Sequence, residues 1–266
     1  MGVSTVYSSP MTMTHAWLEV AHAAADAAAR VITHHAHVGV VARLKDDASP
    51  VTVADEEAEA AIRAVIARAF PDHGFYGEEG EPERTDAEHV WLVDPLDGTK
   101  SFIRGLPFYS TQIALLHAGR RVLGVSHAPH FGERAHAVLG AGAELNGARV
   151  QVSATASVGD AVLSTGNLRT LAASDGWLGF GDLVARVNRI RGYGDFFHYH
   201  QLAAGRLDAV LESDVNILDV AALATIVEEA GGRVTDMYGE PLRLASTSIL
   251  ATNGLLHEEL LEALWN

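Results

Sequence analysis

The sequence predicts a layered protein of the α/β or α+β class, in which helices cover sheets. Two long helical stretches come first, strands with hairpin spacing follow, and strands and helices then alternate to the end of the chain. This order of elements is typical of layered folds. With 266 residues, the chain is long enough to bury a large core, as one domain or as two packed halves.

The first predicted elements are helices. Residues 15–37 are rich in alanine and contain no Gly or Pro, and apolar spacing predicts a second helix over residues 54–70, where a proline ends it. A loop over residues 45–50 joins the two helices. We expect residues 1–14 to form a tail. This segment lacks the positive start and apolar core of a signal peptide, so we expect a cytoplasmic location.

Strands are predicted in the middle and in the second half of the chain. The first set covers residues 90–93, 111–117, 122–128, 134–139 and 149–152, with hairpin turns at residues 118–120 and 146–147. The small, polar residues 153–160 are the expected boundary between an N-terminal half, 15–152, and a C-terminal half, 153–266. Beyond the boundary, predicted strands at 162–165, 190–192, 207–211, 234–235 and 249–251 alternate with predicted helices at 176–188, 195–204, 220–230 and 255–264.

Composition excludes several classes of function. With 19 Lys and Arg against 34 Asp and Glu, the net charge is −15, which argues against a nucleic-acid partner. No stretch approaches the roughly 20 unbroken apolar residues of a membrane helix, so we expect no membrane partner. The absence of cysteine excludes disulfides, thiolate zinc sites and a cysteine nucleophile. Small phosphorylated substrates are still compatible with this negative net charge, because a bound cation can make the electrostatic field at the site positive.

The segment Trp91–Thr99 carries the strongest chemical signal. A buried apolar strand is predicted to end at Asp94, Pro95 breaks the strand ladder, and Asp97 follows in a turn that Gly98 permits. Two carboxylates this close repel each other unless a cation lies between them, and oxygen ligands favour Mg²⁺ or Mn²⁺. The backbone N–H groups of Gly98 and Thr99 could hold an anion. The alternative is an ordinary turn with capping aspartates.

Three further acidic segments accompany it. Gly77-Glu78-Glu79-Gly80 could present one carboxylate inward, or it could be a solvated loop. Asp219 opens a predicted helix, and Asp55 opens the second helix of the chain. For both aspartates the alternative to a functional role is helix capping, which contributes about 1 kcal/mol.

In this order, the four segments resemble the inositol monophosphatase family of Mg²⁺-dependent, lithium-sensitive phosphatases. The motifs are Thr52-x-x-Asp55, Gly77-Glu78-Glu79, Asp94-Pro-Leu-Asp-Gly-Thr99, and Leu218-Asp-Val-Ala-Ala with a later Glu-Ala-Gly-Gly. The resemblance covers about residues 40–255. It implies a layered αβαβα sandwich, a homodimer, and hydrolysis of a small phosphate monoester by metal-activated water.

The resemblance also implies residue roles. Glu78, Asp94 and the backbone carbonyl of Leu96 would hold one Mg²⁺, and Asp94, Asp97 and Asp219 a second, with a third, weaker ion near Glu78. Thr99, supported by Asp55, would polarise the attacking water, so that the implied catalytic residues are Glu78, Thr99 and Asp55. Asp97, Gly98 and Thr99 would hold the phosphate. The family usually has Trp before the late aspartate, whereas this chain has Leu218, so we expect altered packing there without loss of the metal.

The substrate is less constrained. Arg191-Gly-Tyr-Gly-Asp195 resembles the histidinol-phosphate phosphatase branch of the family. The substrate's ammonium group could pair with Asp195, while Glu212 and Arg191 are further candidates for substrate contact. The alternatives are inositol 1-phosphate or another sugar or nucleotide phosphate, and a larger bisphosphate, for which only Arg189 and Arg191 offer charge. A remote alternative is a non-catalytic subunit that binds metal or phosphate.

Overall fold

The computed structural model describes residues 10–45 and 50–265, with side chains from residue 14. Helix α1 spans Pro10–Val38 and α2 spans Val53–Ala69. The first helix therefore begins inside the segment predicted to be a tail, because a proline is well tolerated at the first helical position. Residues 1–9 of that predicted tail, and residues 46–49 of the predicted loop, lie outside the described residues.

The first half of the chain builds a seven-stranded sheet in the order β3-β4-β5-β6-β7-β8-β9. Strands β3 and β4 are parallel, and the other neighbouring pairs are antiparallel. A separate small pair, β1 (Arg43–Leu44) and β2 (Pro50–Val51), precedes α2. The seven strands are β3 Gly74–Gly77, β4 His89–Asp97, β5 Ser110–His117, β6 Arg120–Ala128, β7 Glu133–Val138, β8 Gly142–Leu145 and β9 Ala148–Val150.

Strand β4 is longer than the sequence predicted, and the expectation that Pro95 ends it is wrong. Asp94 lies opposite Gln112 and Asp97 lies opposite Ser110, so β4 carries one extra residue between the two aspartates. This is a β-bulge, where a proline without an N–H group is tolerated. Residues three apart on a regular strand face opposite sides, and the bulge allows both aspartates to line one cavity.

The second half builds a five-stranded sheet in the order β11-β10-β12-β14-β13, with β10 parallel to both of its neighbours. Its strands are β10 Val162–Thr165, β11 Arg189–Arg191, β12 Ala209–Ser213, β13 Arg233–Thr235 and β14 Ser248–Thr252. The other helices are α3 Thr99–Ile103, α4 Arg169–Ala172, α5 Gly176–Arg186, α6 Asp195–Ala203, α7 Ile217–Glu229 and α8 His257–Trp265.

The layers stack as an αβαβα sandwich, which confirms the expected architecture. Helices α1 and α2 cover the outer face of the seven-stranded sheet, α6 and α7 fill the space between the sheets, and α4, α5 and α8 lie outside the five-stranded sheet. Helix α7 is apolar on nearly every side because both sheets bury it. The expected boundary at 153–160 falls between the two sheets, which share this central layer.

Candidate active site

The first turn of α2 holds Asp55 in a capping box. Thr52 caps the helix by accepting the Ala54 N–H at 3.1 Å, while the backbone N–H and hydroxyl of Thr52 donate to Asp55 Oδ2 at 2.8 and 2.6 Å. The other carboxylate oxygen, Oδ1, lies 2.9 Å from the donating hydroxyl of Thr99. Asp55 is therefore a helix cap and, through its second oxygen, a partner of Thr99.

The first turn of α7 repeats the device with Asp219. Asn216 accepts the Leu218 N–H at 3.1 Å, and the Asn216 backbone N–H donates to Asp219 Oδ2 at 2.9 Å. The helix-capping interpretation is thus confirmed for both aspartates. The cap of α7 binds only one oxygen of the Asp219 carboxylate, Oδ2. One oxygen from each of Glu78, Asp94 and Asp219 lies within 4.8 Å of the others.

These carboxylates converge because three elements meet at one place, the ends of β3 and β4 and the start of α7. Glu78 follows β3, Asp94 and Asp97 lie on the bulged end of β4, and Asp219 lies in the first turn of α7. Asp94 Oδ1 accepts the Leu96 N–H at 2.9 Å, and Asp97 Oδ2 accepts the Ser110 hydroxyl at 3.1 Å. All four line a cavity of about 330 Å³, together with Leu96, Gly98 and Thr99.

Gly98 links β4 to α3 and requires glycine for two reasons. Its φ of +86° lies in the left-handed region, and a Cβ atom there would come within 2.4 Å of the Phe108 carbonyl oxygen. The backbone of residues 97–99 is therefore held close to the neighbouring loop. This geometry sets Thr99, the first residue of α3, beside Asp55 and the Leu96 carbonyl, which lies 3.0 Å from its hydroxyl.

The electrostatics of the cluster favour a cation. Burial, and then repulsion from Glu78 and the neighbouring aspartates, raises the pKa of Asp94 well above its usual range, and burial followed by Asp195 and Asp219 does the same for Asp97. Burial raises the pKa of Asp219 to about 7. Carboxylates buried this close together hold protons unless a cation compensates their negative charge, and an all-oxygen ligand set suits a hard divalent ion. The residues present therefore fit Mg²⁺.

The far wall of the cavity comes from the second sheet and α6. Asp195, the first residue of α6, has a φ of +48°, and its pKa is raised to about 6 by burial and by the Glu212 carboxylate. Glu212 on β12 is buried, accepts the Tyr199 hydroxyl at 2.7 Å and lies 3.1 Å from His198 Nε2. Burial alone would raise the pKa of Glu212, but His198 and its other hydrogen-bond partners hold it below its usual value.

Comparisons with known proteins agree with this site. The model of the inositol monophosphatase family matches residues 13–266. The chain belongs to the inositol monophosphatase family. It is 40% identical over 225 residues to a histidinol-phosphatase of Mycobacterium tuberculosis, a match that covers 83% of this chain and 86% of that protein.

Two other members of the family extend the comparison. An inositol-1-monophosphatase of Synechocystis is 36% identical over 253 residues, which cover 93% of this chain and 88% of that protein. The crystal structure of the extragenic suppressor protein suhB of Bartonella henselae superposes with a TM-score of 0.86 at 35% identity, covering 94% of this chain and 98% of that one. The chain is therefore a phosphatase of the inositol monophosphatase family, whose members are generally metal-dependent.

Altered packing was expected at Leu218, the residue before Asp219. Its side chain is buried in the central layer, and its backbone N–H completes the cap of α7. The capping box that orients Asp219 is therefore intact, and the carboxylate still faces Glu78 and Asp94.

Not every predicted site residue lies in the cavity. Asp195 lines the main cavity, and Glu212 lines a narrow extension of about 30 Å³ that also includes Asp97, Asn167 and Asp219. Arg191 does not line either space. Its side chain is exposed and donates to the carbonyl of Ile190 at 2.7 Å, and Arg189 is exposed on the same edge strand. Arg191 is thus the one predicted substrate residue that the fold does not bring to the site.

Sequence reasoning missed residues that support the cluster from outside the motifs. Lys45 Nζ lies 3.1 Å from Glu78 Oε1 and 2.9 Å from Glu79 Oε1. Burial alone would lower the pKa of Lys45, but the two glutamates raise it, while burial raises the pKa of Glu79 to about 7. The lysine precedes the 46–49 segment without any spacing signal. The only signal for its contact with Glu78 was the opposite charge of an acidic motif 33 residues later in the sequence.

Glu59 on α2 is a second residue that the motifs did not indicate. Its buried carboxylate accepts the backbone N–H of Glu79 at 2.7 Å and of Gly80 at 2.9 Å, and it pairs with Arg63 at 2.8 Å. A Cβ atom on Gly77 would come within 2.3 Å of Glu59 Oε2. Glu59 therefore fixes the backbone on both sides of Glu78. Its sequence signal was only a polar residue on the buried face of a helix.

Among the described residues, no helix combines the length and apolar character needed to cross a bilayer.

Proposed function

We propose that this chain is a Mg²⁺-dependent histidinol-phosphate phosphatase. The observation that carries the proposal is the position of Asp195, whose carboxylate lines the same cavity as Asp94, Asp97 and Asp219. A substrate that places its phosphate at the carboxylate cluster would extend toward Asp195. A carboxylate that is largely shielded from water pairs strongly with an ammonium group. The 40% identity to a protein named histidinol-phosphatase supports this choice of substrate.

The metal would be held by oxygen ligands only. Glu78, Asp94, Asp97, Asp219 and the Leu96 carbonyl would bind two or three Mg²⁺ ions, and Mn²⁺ suits the same ligands. Such ions, when bound, neutralise the phosphate dianion, lower the pKa of a water and stabilise the leaving alkoxide. The raised pKa values of Asp94 and Asp97 support this assignment, because a cation between them removes the repulsion.

The chain itself would orient the nucleophile and the phosphate. The Thr99 hydroxyl donates a hydrogen bond to Asp55 Oδ1. The lone pairs of the Thr99 oxygen are therefore available to accept a hydrogen bond from a water in the cavity. The backbone N–H groups of Gly98 and Thr99 would bind phosphate oxygens from the side of α3. Positioning of this kind, and not covalent catalysis, is the role we assign to Thr99 and Asp55.

A panel of phosphate esters tests the proposal. With saturating Mg²⁺, we expect the purified chain to release phosphate from histidinol phosphate faster than from inositol 1-phosphate. The D195N variant should raise KM for the amine substrate about tenfold, while KM for an uncharged ester changes little, because one ion pair with an ammonium is lost. Faster turnover of inositol 1-phosphate, or an equal effect of D195N on both KM values, would refute the substrate assignment.

Asp214 offers a matched control for this variant. It lines the same cavity and carries the same charge, but its carboxylate is bound to Thr170 and Ser213. D214N therefore removes one negative charge from the rim without removing the group placed for an ammonium. We expect D214N to leave the ratio of the two KM values unchanged.

Inositol 1-phosphate is the second candidate. Glu212 and the Asn167 backbone, which are 3.2 Å apart, lie in the narrow extension and could bind ring hydroxyls. The identity of 36% to a protein named inositol-1-monophosphatase favours this alternative. A bisphosphate has weaker support, since Arg189 and Arg191 point away from the cavity lining. A homodimer and a cytoplasmic location stay predictions from the sequence.

A further inference from the structure

A second cavity, of about 560 Å³, lies on the opposite side of α7 from the active site. Ile217 and Ala221 of α7 line it, whereas Asp219 and Leu223 line the narrow extension of the active site. Residues two positions apart on a helix differ in direction by about 200°. The helix therefore separates the two spaces, and the second cavity is not part of the phosphatase site.

The floor of this second cavity is apolar. Leu92 on β4 and Ile217 and Ala221 on α7 are all at least 96% buried, and they form the inner wall. Leu139 and Leu244 form the rim, with 39% and 60% of their surface exposed. The volume lies within the roughly 300–1,000 Å³ range of small-molecule sites. The shape and lining thus suit an apolar body of that size.

The polar side of the cavity is cationic, although the whole chain has a net charge of −15. Arg120, Arg121 and Arg243 line it, together with Glu228 and Glu229. Arg121 donates to both oxygens of Glu228, at 2.9 and 3.0 Å, and its Nε atom is buried without a partner among the described residues.

Both glutamate carboxylates already have partners within the chain, and only Glu228 is ion-paired. The Glu229 carboxylate accepts the backbone N–H groups of Gly140 and Gly142, each at 2.9 Å, and Glu228 is bound by Arg121. Within the part of the chain that the structure describes, the exposed guanidinium groups of Arg120 and Arg243 have no hydrogen-bond or ion-pair partner. Two free guanidinium groups beside an apolar floor are the complement of an anion with a hydrophobic body.

We propose that this cavity is a binding site for a small organic anion, distinct from the phosphatase site. The apolar body would pack on Leu92, Ile217 and Leu244, and the carboxylate or other oxyanion would bind Arg120 and Arg243. The occupant is a small molecule, since the cavity of about 560 Å³ is bounded by α7, the ends of β5 and β6 and the 242–244 loop.

A pair of fluorescent probes tests the site on the intact chain. The anionic probe 8-anilinonaphthalene-1-sulfonate and neutral N-phenyl-1-naphthylamine share the same rings and differ in the sulfonate. We expect saturable binding of one anionic probe per chain, about tenfold tighter than the neutral probe, and unchanged by saturating Mg²⁺ with inorganic phosphate. Equal affinity for both probes would overturn the proposal, because the cationic side would then contribute nothing.

Variants locate the binding. R243Q and R120Q should each weaken the anionic probe about fivefold to tenfold and leave the neutral probe unchanged, whereas L244D should weaken both. R68Q removes an exposed arginine on α2 and should change neither. All four positions are exposed, so the variants are expected to keep the melting temperature of the parent chain. If R243Q, R120Q and L244D all bind like R68Q, the probe is bound elsewhere and the site is disproved.

Discussion

The first turns of α2 and α7 are the same local structure with two different surroundings. Each begins with a capping box that has aspartate at the third helical position, Asp55 in one and Asp219 in the other. Asp55 faces the hydroxyls of Thr52 and Thr99, while Asp219 faces the carboxylates of Glu78 and Asp94. Local sequence sets the cap, and tertiary packing decides whether the free carboxylate oxygen meets a donor or another anion.

The difference appears in the electrostatics. Burial raises the pKa of both aspartates, but hydrogen bonds from Thr52 and Thr99 oppose the shift at Asp55, and no neighbouring carboxylate is among its main causes. At Asp219, burial is reinforced by Glu78 and Glu212, and the pKa reaches about 7. Asp55 therefore has hydrogen-bond donors that stabilise its charged form, whereas Asp219, with carboxylates as neighbours, needs a cation to stay charged at neutral pH.

Substituting the two aspartates by asparagine should separate these roles most strongly. D219N removes a metal ligand, and we expect kcat/KM to fall by at least about 10³-fold with a large loss of Mg²⁺ affinity. D55N should lower kcat by about 10²-fold and leave Mg²⁺ affinity near that of the parent, because it only misorients Thr99. Steady-state kinetics and Mg²⁺ titration calorimetry measure both effects. Equal losses of Mg²⁺ affinity in the two variants would contradict the distinction.

The pH dependence of the free energy of unfolding should also distinguish Asp219 from Asp55. In the presence of EDTA, the folded-state pKa of Asp219, about 7, exceeds its usual value of 3.8, so the native chain binds the extra proton between these values. The free energy of unfolding therefore falls as the pH rises from about 4 through 7, by roughly 3 kcal/mol, as Asp219 deprotonates. Urea denaturation at several pH values measures the slope.

Two additions sharpen the pH experiment. Saturating Mg²⁺ should restore the lost stability at neutral pH, because the cation binds only the folded, deprotonated cluster. D219N should flatten the slope in EDTA more than D55N does. A slope in D219N as steep as in the parent chain would place the titrating group elsewhere.

Most of the elements that carry the site were predictable from the sequence, because each has a local signal. The capping residues Asp55 and Asp219, the apolar strand before Asp94 and the glycine at position 98 are readable from spacing and residue type. The bulge in β4 was not readable, because Pro95 is equally compatible with the end of a strand and with an irregularity inside one. Residue type and spacing identified the candidate site residues, whereas the pairing of β4 with β5 determined their register.

The contacts that the sequence did not reveal join residues far apart in the chain. Lys45 and Glu59 meet Glu78 and Glu79 only after α2 packs on the seven-stranded sheet. Arg191 shows the opposite error, since Asp195 of the same motif lines the cavity but the edge position of β11 turns the arginine to solvent. Neither outcome follows from periodicity, because each depends on which side of a tertiary interface a long side chain reaches.

Glu59 gives a third carboxylate for the comparison, one that binds backbone N–H groups without facing the cavity. E59Q removes one acceptor oxygen from the N–H groups of Glu79 and Gly80, and we expect the Mg²⁺ concentration at half-maximal activity to rise about tenfold with kcat nearly unchanged. The matched control is E83Q, which removes the exposed partner of Arg63. A shift in E83Q as large as in E59Q would mean that Arg63, and not the Glu78 loop, carries the effect.

The smallest expected effect comes from the two capping side chains themselves. T52A and N216A should each lower the free energy of unfolding by about 1 kcal/mol, because each removes the side-chain acceptor of the first helix N–H groups. Only T52A should also lower kcat, by a few-fold, since the Thr52 hydroxyl contacts the Asp55 carboxylate, while the Asn216 side chain accepts the backbone N–H groups of Leu218 and Asp219 and does not bind the Asp219 carboxylate. T52S and N216S should restore stability, and T52S should restore kcat. A loss of kcat in N216A equal to that in T52A would show that the cap of α7 positions Asp219 as directly as Thr52 positions Asp55.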